Sequence, residues 1–252
     1  MGRKDLMDNR QLFSGKSEDY FRYRPSYPES AVQWLREKCQ GECAADIGAG
    51  TGIFTKLLQS RFKKVYAVEP NADMRKIFCS YLPDVPCSAG SGEDTGLAAD
   101  SVDLITVAQA FHWLDEEKFK AEALRILRPA GKVAIVWNST LESDFTLARS
   151  QVCQKYCPRF RSGHAGKRSP AEGDDFLRNH YFSEVEVISF ANPFEMDLEI
   201  FEGNMRSRSY ALTPADPAYA DFSAELRSVF ERYAVNGTVT EPQETQIYFG
   251  RF

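Results

Sequence analysis

Residues 44–52 read Ala-Ala-Asp-Ile-Gly-Ala-Gly-Thr-Gly, an apolar run that breaks into glycines, and a second acid, Glu69, closes the next apolar run, Val65-Tyr66-Ala67-Val68. The chemistry this pairing suits is nucleoside binding. A strand ending in glycines lets backbone come closer to a ligand than a β-carbon would allow, and an acid about 20 residues further on, at the tip of the next strand, suits a ribose diol. A dinucleotide fingerprint has its third glycine three positions after the second. Here that position holds Ile53, and the glycines fall instead at Gly48, Gly50 and Gly52, with Asp46 two residues ahead of the first. Such spacing, with Glu69, suits a ribose without a pyrophosphate cradle.

The elements that must carry these residues follow from the alternation of apolar runs and amphipathic stretches. Strands are predicted over 43–47, 64–68, 85–88, 102–108 and 132–137, with helices over 29–38, 51–62, 71–82 and 115–127. The turn Arg128-Pro129-Ala130-Gly131 precedes the strand at 132–137. This order implies an α/β fold, a Rossmann-like doubly wound parallel sheet with right-handed crossovers and helices on both faces. Ligands of such sheets lie beyond the carboxyl ends of the strands. Gly48 to Gly52, Glu69, Glu93 and Gln109 to Trp113 should all arrive at that edge. After Trp137 the pattern changes: 141–181 is polar and loosely helical, 185–190 alternates as a strand, 197–233 reads as two or three helices broken by Pro214 and Pro217, and 246–251 is a last strand. The whole chain, 1–252, is expected to be one domain, with 1–28 as a lid segment and 191–240 as a helical insertion shaping the substrate pocket.

Composition narrows the partners. The net charge is −5, from 31 basic and 36 acidic residues among 252. No basic block occurs, so the footprint of a nucleic-acid binder is missing. The polar N-terminal residues predict neither a signal peptide nor a membrane span, hence a cytoplasmic protein, monomeric or weakly dimeric, acting on a small molecule. Six cysteines, Cys39, Cys43, Cys79, Cys87, Cys153 and Cys157, form no Cys-x-x-Cys pair, so no metal is expected.

From its start the chain resembles the class I S-adenosylmethionine (SAM) dependent methyltransferases that act on small molecules, most closely the branch around trans-aconitate methyltransferase. Tyr20-Phe21-Arg22-Tyr23-Arg24-Pro25-Ser26-Tyr27-Pro28 is similar to that branch's opening segment. Residues 45–52 are similar to its motif I, Val68-Glu69-Pro70-Asn71 to its ribose-binding strand end, residues 101–113 to motif II and residues 124–132 to motif III. Motif I is widely shared, whereas Gln109-Ala110-Phe111-His112-Trp113 is narrower. The resemblance implies a seven-stranded sheet whose last strand is antiparallel, with the helical insertion before it. It also implies that Asp46, Gly48, Ala49, Gly50, Gly52, Glu69, Pro70, Met74, Ala108 and Gln109 hold SAM. Gly92 and Glu93 are its expected adenine contacts, although the run Ser91-Gly92-Glu93-Asp94 departs from the usual adenine loop.

SAM carries a sulfonium and no phosphate, so its site wants acids, aromatic faces and exposed backbone. Phe13, Tyr20 and Trp113 are candidates to face the cation, a contact worth about 0.5 to 2 kcal/mol. Arg24 is the candidate partner for the methionine carboxylate. On the acceptor side, His112 could take a proton from a hydroxyl or amine, or could simply shape the pocket. A carboxylate acceptor needs no base. Arg206-Ser207-Arg208-Ser209-Tyr210 offers two guanidinium groups for an anionic substrate, with Trp113, Trp137 and Asn138 as further lining. The expected reaction is O-methylation of a carboxylate or similarly acidic small molecule. The alternatives are an amine, phenol, protein or nucleic-acid acceptor, or a SAM-binding partner without catalysis.

Overall fold

Every residue of the first strand is buried, as a strand flanked by neighbours and covered on both faces must be. In the computed structural model, which describes residues 17–160 and 168–252, this strand, β1 (Cys43–Ile47), lies mid-sheet. It is joined there by β2 (Lys64–Val68), β3 (Cys87–Ser88), β4 (Val102–Ala108), β5 (Leu127–Thr140) and β6 (Glu184–Ala191). A separate ribbon is formed by β7 (Phe194–Met196) and β8 (Val239–Glu241), and β9 (Gln243–Arg251) returns to the main sheet. The order is β3-β2-β1-β4-β5-β9-β6, seven strands, with β9 antiparallel to both β5 and β6. Strand order reverses between β1 and β4, which fixes the crevice above their carboxyl ends.

Helices α1 (Ser17–Tyr23) and α2 (Glu29–Lys38) precede the sheet, and α3 (Ile53–Gln59), α4 (Ala72–Tyr81) and α5 (Glu116–Ile126) alternate with its strands. Alternate residues of each strand serve opposite faces. Ala44, Leu104 and Ala134 pack with Leu35, Phe54 and Phe78 from α2, α3 and α4 on one side. Ala45, Ile105 and Ile135 pack with Phe119 and Ile126 from α5 on the other.

Several expected boundaries move. The helix predicted over 51–62 starts only at Ile53, because its N-cap Gly52 takes φ of 92°. The turn predicted at 128–131 is part of β5 instead: Val102 pairs with Leu127 and Leu104 with Lys132, so the intervening residues bulge out of the ladder. Pro129, which has no N–H to give, sits in that bulge. The second half gives α6 (Asp144–Tyr156), α7 (Pro170–Phe176), α8 (Leu198–Arg206) and α9 (Tyr219–Tyr233), with Pro214 and Pro217 between the last two.

A third core forms away from the sheet. Phe145, Val152 and Cys153 of α6 pack with Phe201 and Met205 of α8 and with Phe222 and Phe230 of α9. The pocket-shaping unit therefore extends beyond the expected 191–240 and draws in α6, whose apolar residues at i, i+7 and i+8 make one stripe. The N-terminal segment docks on the same unit. Asn204 Nδ2 donates to the Tyr23 carbonyl (2.9 Å), and the Tyr23 hydroxyl donates to Glu199 Oε1 (3.0 Å). Among the described residues no helix is long and apolar enough to cross a membrane.

Candidate active site

The glycine turn after β1 is pinned to the neighbouring strand, since Gly48 and Ala49 both donate N–H to the Val68 carbonyl (2.8 and 3.1 Å). This brings Glu69 over the turn. One of its carboxylate oxygens accepts from Gly50 N–H (2.8 Å) and the other from Asn71 N–H (2.8 Å). Each oxygen keeps a second lone pair. Gly50 has φ of 58°, and a β-carbon built there would meet no heavy atom within 4 Å, so open space lies directly above the turn. Gly52 differs: a β-carbon there would press on Leu82 and Phe78 at about 3 Å, so this glycine serves the packing of α3 on α4.

Asp46 lies beneath the turn and is 1% exposed. Thr55 Oγ1 donates to its Oδ2 (2.6 Å) and Thr106 Oγ1 to its Oδ1 (2.9 Å). Burial pushes the Asp46 carboxyl up to about 6, against these two bonds, and the Glu69 charge adds to the rise. Burial likewise raises the Glu69 carboxyl, opposed by its two backbone donors and by Arg75.

Above this edge opens a cavity of about 660 Å³. Of the residues expected to hold a cofactor, Tyr20, Arg24, Asp46, Gly48, Ala49, Gly50, Ala108 and Gln109 line it. Gln109 does so from a left-handed backbone conformation, φ of 57°, which is unusual outside glycine. Its amide is fixed by donation to the Asn138 carbonyl (2.9 Å). Glu69 touches the cavity only through Gly50, and Pro70 and Met74 stand behind it. Met74 is buried, and its N–H caps α4 by donating to Asn71 Oδ1 (3.0 Å). Gly92 and Glu93, the expected adenine loop, do not line this cavity: a β-carbon on Gly92 would meet Leu114 and Ile47, and Glu93 Oε1 accepts from Asp115 N–H (2.8 Å) ahead of α5. Phe13 lies outside the described residues.

On the acceptor side, His112, Trp113, Arg208 and Tyr210 line the cavity, joined by Asn138. His112 lies between two indoles, with ring centroids 4.3 Å from Trp113 and 5.4 Å from Trp137. Trp137 belongs to a neighbouring cavity of about 130 Å³ that shares His112 and Ser139 with the larger one. Arg206 departs from expectation. It points away from the cavity and pairs with Asp19 of α1 (3.1 Å), so the fork with Arg208 is not formed. The reason is helical: residues 206 and 208 are two positions apart and leave the end of α8 in different directions.

Residues that sequence reasoning passed over also line the cavity, among them Tyr27, Arg149, Arg159 and Gln243. Arg149 is 7% exposed and ion-pairs with Glu241, itself fully buried. Its one signal in the sequence is an arginine four residues after Phe145, within the apolar stripe of α6, where a charge is out of place. Arg24 lies over the Tyr20 ring (4.9 Å) and donates to the Ser207 carbonyl (3.3 Å). Burial draws both Arg24 and Arg149 down to about 10, and Arg208 reinforces the shift in each.

A glycine turn at the switch point of a seven-stranded sheet with one antiparallel strand, an acid on the next strand and an open cavity above define a class of nucleoside-dependent transferase. The methyltransferase domain family matches residues 45–135. An uncharacterized methyltransferase-like protein of Schizosaccharomyces pombe is 30% identical over 209 residues, 80% of this chain and 78% of that protein. An uncharacterized methyltransferase of Mycobacterium bovis is 40% identical over 120 residues, 48% of this chain and 49% of its own length, so the match spans about half of that relative. Among solved structures, a protein of Anaeromyxobacter dehalogenans described as a type II methyltransferase superposes with a TM-score of 0.67, covering 91% of this chain and 98% of that one at 24% identity. The chain belongs to the class I SAM-dependent methyltransferase family.

Proposed function

We propose that the protein transfers the methyl group of SAM to a small acidic molecule, most simply onto a carboxylate oxygen. The observation that carries this reading is the charge of the cavity: Arg24, Arg149, Arg159 and Arg208 line it against Asp46 and Glu142, with Glu241 paired to Arg149 and 4.0 Å from Arg208. A positive excess along the wall of a cavity suits an anionic ligand.

The chain fits the cofactor. Space above Gly50 admits a ligand that a side chain would exclude, and the free lone pairs of Glu69 can accept from a ribose diol. Asp46, Gly48, Ala49, Gly50, Ala108 and Gln109 would line its methionine half, with Arg24 for its carboxylate and Tyr20 and Trp113 to exclude water. When bound, SAM supplies an electrophilic methyl carbon.

The protein's own contribution is alignment and desolvation, which can account for most of the barrier reduction in an in-line displacement. The acceptor is held by the guanidinium groups with its attacking oxygen toward Gln109 and His112. An ionised carboxylate needs no base, so His112 here packs between Trp113 and Trp137 and bounds the pocket. Arg206 drops out of the substrate role and instead ties the lid helix to α8.

Incubation with methyl-labelled SAM and a panel of carboxylates, phenols and amines, read by mass, tests the reading. Methyl esters from the acids are expected. Turnover confined to amines or phenols would overturn the acidic acceptor, and tighter binding of NAD than of S-adenosylhomocysteine would overturn the cofactor.

A further inference from the structure

The insertion spends buried charge where its packing has no use for it. Arg149 replaces an apolar residue on the stripe of α6, and Glu241 sits at an inward position of the short strand β8. Replacing such a pair with well-packed apolar residues is commonly neutral or stabilising, so stability alone does not explain it. Nor is the pair isolated. Glu241 neutralises Arg149, yet Arg208, 18% exposed, stands 4.0 Å from the same carboxylate. Two guanidinium groups of the cavity wall thus share one buried carboxylate.

The geometry of Glu241 is tightly held. One of its oxygens accepts from Thr140 Oγ1 (2.8 Å) and from Gln243 Nε2 (2.7 Å), while the other meets Arg149. Thr140 ends β5 and Gln243 begins β9, so the carboxylate is fixed to the sheet while Arg149 rides on α6. The Arg149 guanidinium thereby lines the cavity within electrostatic reach of Arg24, and with it Arg208 and Tyr210. A methionine carboxylate taken by Arg24 leaves these groups for the acceptor.

We propose that Arg149 is a specificity-determining residue of the acceptor site, gripping an anionic group of the acceptor together with Arg208, and that Glu241 is its positioning residue, aiming the guanidinium while weakening its pull on the ligand. The proposal rests on the reading of the cavity as a methyltransferase site for acidic acceptors. It makes Glu241 a brake. A purely structural pair would behave otherwise, since loss of either member would only loosen the site.

The test uses the full chain saturated with S-adenosylhomocysteine. Calorimetric binding of succinate, citrate and benzoate is compared with that of neutral dimethyl succinate, for the parent, Glu241→Gln and the neutral pair Arg149→Gln/Glu241→Gln. The parent should bind at least one anion and not the ester. Glu241→Gln should bind that anion about threefold to tenfold tighter, and the neutral pair about tenfold or more weaker, with S-adenosylhomocysteine affinity unchanged in both. Should the neutral pair not fold, Arg149→Lys keeps the charge but loses the planar fork and should weaken anion binding about threefold to tenfold. Anion binding that ignores the Arg149 variants, or that weakens in Glu241→Gln, overturns the proposal and leaves the acidic acceptor standing. If the ester binds while every anion fails, or if nothing in the panel binds, both fall.

Discussion

The two ends of the large cavity are built from different kinds of chain. At the strand-end side Asp46, Gly48, Ala49 and Gly50 come from one turn, and the acid over them, Glu69, comes from the adjacent strand in parallel register, with Ile47 opposite Val68. At the insertion side Arg24 follows α1, Arg149 lies in α6, Arg208 follows α8 and Glu241 is in β8. The first end is a local motif whose geometry is set by five consecutive residues and one strand pairing. The second is a convergence of charges more than 50 residues apart from one another in most pairings, held by a separate small core.

The sharpest way to break this contrast is Gly50→Val. A branched residue at φ of 58° carries about 1 to 3 kcal/mol of backbone strain and puts methyl groups into the open space above the turn. Calorimetry should then detect no S-adenosylhomocysteine binding, whereas retained binding would move the cofactor to another part of the cavity. At the other end, Arg149→Gln alone leaves the Glu241 charge buried without its partner. Urea unfolding should register a loss of about 3 to 5 kcal/mol, largely restored in Arg149→Gln/Glu241→Gln. Equal losses in the two variants would show that packing, not charge, governs that site.

A third expectation concerns pH. The folded Asp46 carboxyl holds its proton up to about 6, above the ordinary aspartate value of 3.8, so the native state binds more protons across that window and stability falls as pH rises through it. The asparagine variant Asp46→Asn lacks this slope. Between pH 4 and pH 7 its stability relative to the parent should improve by about 2 kcal/mol, read from unfolding curves at the two pH values. A flat difference would mean that Asp46 ionises as freely in the fold as outside it.

Smaller effects sharpen the assignment of roles. Glu69→Ala should weaken S-adenosylhomocysteine by about 1 to 3 kcal/mol while acceptor binding is retained. Arg206→Ala should cost less than about 1 kcal/mol of stability, as a half-exposed pair with Asp19, and should leave the acceptor KM unchanged. A rise in that KM would return Arg206 to the pocket.

Much of the strand-end site was legible because its signals are local. Alternating strands and helices, a glycine turn after β1 and an acid at the tip of β2 are written within 30 residues, and backbone sterics convert them directly into shape. The edges of elements were less so. The bulge at 128–131 reads as a turn in one dimension because proline and glycine punctuate both, and only the pairing with β4 distinguishes them. The expected adenine contacts show the limit of position alone: Gly92 packs against Leu114 and Ile47 and Glu93 accepts from Asp115 N–H, neighbours that only the fold supplies.

By itself the sequence determined the class of sheet, the place of its ligand crevice and the residues of the glycine turn, since period, propensity and turn sterics act over a few neighbours. Tertiary structure alone decided which arginines face the cavity. Arg206 and Arg208 are two residues apart and chemically alike, yet one meets Asp19 on α1 and the other turns toward Glu241. Arg149, unremarked in its own segment, becomes part of the site because α6 buries its apolar stripe against α8 and α9. Which way a long charged side chain points is set by the partner that offsets its desolvation, and that partner is supplied only when distant segments pack together.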